Sequence, residues 1–86
     1  MAEANAGVVV GLESRIKAIV ARHLGVPVEE LDVSSRLVED LGADSLDVAE
    51  IELAIEDQFG LEIAGGRSWG LASVGDAIAY VDAHGG

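Results

Sequence analysis

Residues 44–60 read DSLDVAEIELAIEDQFG, a helix with both of its ends marked. Asp44 is a good N-cap, Ser45 the first helical residue and Asp47 the third; both acids oppose the positive end of the helix dipole. The helix is predicted to run from Ser45 to about Phe59, with Gly60 as its stop. At about 100° per residue the apolar positions fall into two rows. Val48, Ile51, Ile55 and Phe59 share one face, while Leu46, Ala49 and Leu53 share nearly the opposite one. A helix in a small bundle buries one such row, at roughly 1.5–3 kcal/mol per large side chain. The other row is then expected to stay at least partly exposed among acids, as a docking surface. Burial of both rows between neighbours is the alternative the pattern leaves open.

Upstream, Val9, Leu12, Ile16, Ile19, Val20 and Leu24 recur at helical spacing, and Gly25 with Pro27 closes that helix. His23 lies on the same stripe and reads as a partly buried helix-end histidine. No second histidine or cysteine stands at ligand spacing, and His84 lies in the tail, so no metal site is expected. The connection over residues 25–44 is long, and Val28, Leu31, Val33, Leu37 and Leu41 are its expected apolar anchors. One turn of helix is predicted around Pro27–Leu31. Downstream, LEIAGGRSWGLAS (residues 61–73) reads as a loop with one helical turn near Arg67–Leu71. The last helix is expected to begin at Ser73, with Asp76 as an aspartate variant of the capping box. Val74, Ala77, Ile78 and Val81 form its inner face, and Gly85 closes it. The chain shows no strand pattern and no repeat. The fold class is therefore all-α, a small bundle of three main helices plus one short helix. It forms a single domain over residues 1–86, with 1–7 as a flexible N-terminal tail and 84–86 as a C-terminal tail.

Composition narrows the function classes. Of 86 residues half are apolar, but Phe59, Trp69 and Tyr80 are the sole aromatics, so the core is aliphatic. The absence of cysteine excludes disulfides and thiol chemistry. No apolar run approaches the roughly 20 residues of a membrane span. The opening MAEANAGVVVGLE lacks the basic flank of a signal peptide, so a cytoplasmic protein is expected, and the start methionine with short tails points to a free-standing chain. The formal charge of −11 is concentrated: between Glu29 and Glu62 stand twelve acids and one base, Arg36. Such a stretch repels phosphates, which argues against nucleic acid, and steers partners with basic docking patches. Catalytic readings fail in turn. Ser45 has no elbow pattern and no local base, no phosphate-binding loop is present, and a calcium loop begun at Asp40 would put Ser45 and Ile51 at its glycine and glutamate positions. What remains is a serine that another enzyme modifies, or one that simply starts a helix.

The longer stretch LVEDLGADSLDVAEIELAIEDQFGLEI (residues 37–63) resembles the central region of acyl carrier proteins. The likeness is carried by LGA before the Asp-Ser-Leu triplet, the acidic helix after it and the Phe59–Gly60 stop. With compatible spacing it extends from Ile16–Gly25 to Ile78–Val81. The resemblance implies that Ser45 carries 4′-phosphopantetheine, installed from coenzyme A by a phosphopantetheinyl transferase with magnesium. Acyl groups would ride on that arm as thioesters, so the missing cysteine is no obstacle, and the chain would not itself be an enzyme. It also implies that Asp44, Leu46, Asp47, Glu50, Leu53, Glu56 and Asp57 meet partner enzymes of fatty-acid or related lipid synthesis, that the protein is a monomer, and that its helices enclose an apolar cleft for the acyl chain. Two positions depart from the family pattern. Glu52 stands where an apolar residue is usual; about 55° from the centre of the buried face, its carboxylate is expected to snorkel outward. Residues 65–69 lack the usual proline and acids, which points to a dedicated pathway. There Trp69 is expected to cap the core beneath a loose loop, with contact to the acyl chain as the alternative. Gly42-Ala43 before Asp44 favours acyl or polyketide cargo over peptidyl cargo. The rivals are an unmodified acidic helical interaction domain, and a polyketide-type carrier domain cut from a larger synthase.

Overall fold

The computed structural model describes residues 2–61 and 69–85, and the side chains of 11–61 and 69–84. The described residues form three α-helices, α1 (Ala2–Leu24), α2 (Ser45–Phe59) and α3 (Val74–Gly85), with a short 3-10 turn at Val28–Glu30 in the connection between the first two. The described residues form no strand; Arg36 and Ser73 make an isolated antiparallel bridge. The all-α expectation holds.

Helix ends follow local chemistry. Gly25, at φ 71°, closes α1, and the N–H groups of Gly25 and Val26 both donate to the Ala21 carbonyl. Gly60, at φ 65°, closes α2 in the same left-handed way, which L-residues with a Cβ disfavour. At the head of α3, the Ser73 hydroxyl accepts the Asp76 N–H at 3.1 Å, and the Asp76 carboxylate accepts the Ser73 N–H at 3.1 Å. Helix reaches into both of the stretches read as tails. α1 begins at Ala2, inside the stretch read as a tail, because Ala2, Ala4 and Ala6 are strong helix formers and no proline precedes Pro27. His84 belongs to the last turn of α3, where its Nδ1 lies 2.9 Å from the Tyr80 carbonyl oxygen and its ring stacks on that of Tyr80.

α1 and α2 run antiparallel. Near the end of α2, Arg15 lies 4.3 Å over the Phe59 ring and donates to the Gln58 carbonyl; near its start, His23 reaches Glu50. Between them Ile16 and Val20 of α1, Ile51 and Ile55 of α2, Val74 of α3 and Leu37 of the connection are fully buried. The connection is anchored differently from the expectation. Leu31 and Leu37 are buried, but Val28 and Val33 are 41% and 48% exposed. Backbone bonds replace those two anchors: Leu37 N–H to Ala72 O, Val74 N–H to Ser35 O and Gly75 N–H to Val33 O, at 2.8–3.0 Å. They lay residues 33–37 along the entry to α3. The helical turn expected near Arg67–Leu71 does not form at Trp69–Leu71. Its remaining residues, like Gly65 and Gly66, lie outside the described ones.

Candidate functional site

Ser45 stands exposed as the first residue of α2. Its position is set by a rigid approach. Gly42 takes φ 77°, its N–H bonds to Val38 O, and the Ala43 N–H bonds to Leu37 O at 2.8 Å. Ala43 is buried, and Asp44 then turns extended as the N-cap. A reciprocal capping box completes the entry: the Asp44 carboxylate accepts the Asp47 N–H at 2.8 Å, and the Asp47 carboxylate accepts the Asp44 N–H at 3.1 Å. The first backbone N–H groups of a helix have no intrahelical acceptor, and the dipole is positive there. An exposed hydroxyl at that end suits an attached phosphate.

Beside Ser45 runs a groove of about 510 Å³, walled by Val38, Ala43, Val48 and Leu71, with Glu52 among its lining. Glu52 does not snorkel. It is 4% exposed, and its Oε2 accepts the Leu71 N–H at 3.2 Å. The helical wheel missed this because the acceptor's partner is a backbone group from a segment nineteen residues away in sequence. One turn further, Glu56 accepts the Trp69 indole N–H at 3.1 Å. Trp69 also stacks on Tyr80 with centroids 4.0 Å apart, and it packs half-buried against the core. That agrees with its expected capping place.

The second apolar row of α2 is open: Leu46 and Leu53 are 63% and 58% exposed, and Ala49 between them is exposed too. The acids around this row have internal bonds of their own. Asp44 and Asp47 form the capping box, and Glu56 holds Trp69. His23 Nε2 lies 3.1 Å from Glu50 and 3.6 Å from Asp47. These ligand atoms all lie within 4.8 Å of one another, close enough for one divalent cation to touch all three. Asp57 is exposed. The His23 cluster escaped the sequence reading, which sought further histidines or cysteines and not carboxylates brought in by the antiparallel turn.

Comparison with known proteins decides the family. A family profile described as "Phosphopantetheine attachment site" matches residues 14–81, most of the chain. The chain belongs to the phosphopantetheine-binding carriers. Its fold is similar to the solution structure of the apo doublet acyl carrier protein from prodigiosin biosynthesis, at 28% sequence identity and TM-score 0.77, over 87% of this chain and 36% of that one. This carrier therefore spans about a third of the length of the solved protein it matches. Carriers of this family hold acyl groups as thioesters on a 4′-phosphopantetheine arm; they are not catalysts themselves, and a phosphopantetheinyl transferase modifies them. They serve biosynthetic enzymes as partners. No helix among the described residues is long and apolar enough to cross a membrane.

Proposed function

We propose that Ser45 bears the 4′-phosphopantetheine arm and that this carrier delivers acyl intermediates within a dedicated pathway of fatty-acid or polyketide type. The observation that carries the reading is an exposed hydroxyl on the first residue of α2, held by a capping box and bordering a side groove. Attachment joins Ser45 Oγ to the pantetheine-bearing phosphorus of coenzyme A as its pyrophosphate bond breaks and adenosine 3′,5′-bisphosphate leaves; the hydroxyl proton passes to a base of the transferase, so this chain needs none. Once attached, the arm supplies a thiol that holds the acyl group as a thioester. Leu46 and Leu53, with Asp44, Asp47, Glu50, Glu56 and Asp57 around them, form the face that partners with basic and apolar patches read. The strong excess of acids over residues 29–62 supports that choice of partner. Gly42-Ala43 before Asp44 supports acyl or polyketide cargo, and likeness to a protein of prodigiosin biosynthesis supports a specialised route. We read the protein as monomeric and cytoplasmic.

Intact mass before and after incubation with coenzyme A, magnesium and a broad-specificity phosphopantetheinyl transferase tests the site. A gain of one phosphopantetheine, mapped to Ser45 and lost in Ser45→Ala with helical circular dichroism retained, is the expected result. Modification persisting in Ser45→Ala would sink the assignment.

A further inference from the structure

The structure assigns Glu52 a role in cargo selection: it closes the groove beside Ser45 to long alkyl chains, which leaves this carrier with short or polar acyl groups. The inference rests on Ser45 as the attachment site. Glu52 stands two helical turns from Ser45, about 10 Å at 1.5 Å per residue, and both side chains line the same groove. The other walls are largely apolar, so a hydrocarbon emerging from the Ser45 end would be drawn along them. At Glu52 it meets a bridge. The carboxylate on α2 is bonded to the backbone N–H of Leu71 on the facing segment, and both residues are at least nine-tenths buried. Ile51 and Ile55 of the same helix have no exposed surface and belong to one core cluster with Leu71.

A chain that passes between α2 and residues 69–71 must part that bond. It would strip a buried N–H of its acceptor and lay methylenes against a carboxylate, and both changes oppose entry. Glu56 reinforces the closure one turn on, where its carboxylate ties Trp69 to the same helix. Two carboxylates at i and i+4 thus fasten one segment. A short acyl group ends before the bridge and gains nothing by opening it. A polar acyl group finds in Glu52 a hydrogen-bonding wall in place of a methyl one.

The test loads the carrier with hydrolysis-resistant butyryl, octanoyl and dodecanoyl pantetheine analogues. Intact mass and peptide mapping establish attachment at Ser45 before any chain readout is taken. Methyl spectra of Ile51, Ile55 and Leu71 and the melting temperature are then compared across the series. For the wild-type carrier the three lengths are expected to give the same core methyl positions and the same melting temperature. Length-dependent shifts at Ile51 and Ile55 in the wild type would overturn the inference while leaving Ser45 in place. Failure to load at Ser45, with a transferase active on a control carrier, would overturn the site reading and this inference with it. In Glu52→Leu the octanoyl and dodecanoyl forms are expected to shift the core methyls and to melt above the butyryl form. Glu52→Gln keeps an acceptor of the same shape and should behave as the wild type does. A folded Glu52→Leu protein blind to chain length would remove Glu52 from the role; if that variant does not fold, the wild-type series decides.

Discussion

At Asp32 a single carboxylate oxygen gathers the Ser34 hydroxyl at 2.6 Å, the Ser34 N–H at 2.8 Å and the Ser35 hydroxyl at 3.4 Å. The Ser34 bonds, hydroxyl first, hold this carboxyl below the ordinary aspartate range. A lowered folded value adds stability above the unfolded value of about 3.9, and that stability is lost as pH falls through the folded value. The stability gap between wild type and Asp32→Asn, read from urea midpoints, should therefore be wider at pH 7 than at pH 3. A gap that is the same at both would show that these bonds are not linked to the proton. Asp32 and Glu52 also mark how far single residues can be read in sequence. The N-caps Asp44 and Ser73 were legible because their partners lie three residues on. Glu52 was not, since its partner is Leu71; nor was His23, whose acids reach it only after the long connection has folded back.

Among the elements, the seam between residues 33–37 and 72–75 has least slack at Gly75. Its N–H bonds to the Val33 carbonyl at 2.8 Å, and a Cβ there would stand 2.8 Å from Val33 Cγ1 and 3.0 Å from that carbonyl oxygen. Alanine in a helix is favoured over glycine by about 1 kcal/mol. Overpacking costs about 1–3 kcal/mol, and the carbonyl cannot retreat without loosening its own bond. Gly75→Ala should therefore lose about 1 kcal/mol net in chemical denaturation; an unchanged or stabilised variant would mean that the 33–37 segment yields freely. α2 was legible from cap to stop, and so was the division of its two apolar rows, because period and caps are local. The seam was not legible, since it is made of backbone groups that carry no residue-type signature. The sequence reading accordingly credited Val28 and Val33 with an anchoring that belongs to main-chain bonds.

Across the whole molecule, twelve acids and one base within residues 29–62 set up a repulsion that the ion-pair contacts of this segment among the described residues, Arg36 with Asp40 and His23 with Glu50 and Asp47, offset little. Exposed pairs contribute about 0–1 kcal/mol each, and salt screens them as well, so relief of repulsion dominates. Raising ionic strength from low to physiological values should raise the melting temperature, by about 4–8 °C for each kcal/mol relieved in a domain of this size. A flat or falling response would show that repulsion among these acids does not limit the stability of the fold. The charge imbalance itself was plain in the sequence, but the internal bonds of these acids were not.

Those internal bonds make docking and closure linked equilibria. Glu56 holds the Trp69 indole and also stands on the face proposed for partners. A basic group that captures the Glu56 carboxylate therefore competes with the indole, and whatever frees the indole strengthens that capture by the same factor. Because Trp69 and Leu71 belong to one short segment, an enzyme seated on α2 would loosen the strand of chain that Glu52 fastens. The groove beside Ser45 would then open to longer chains only while a partner is seated on α2.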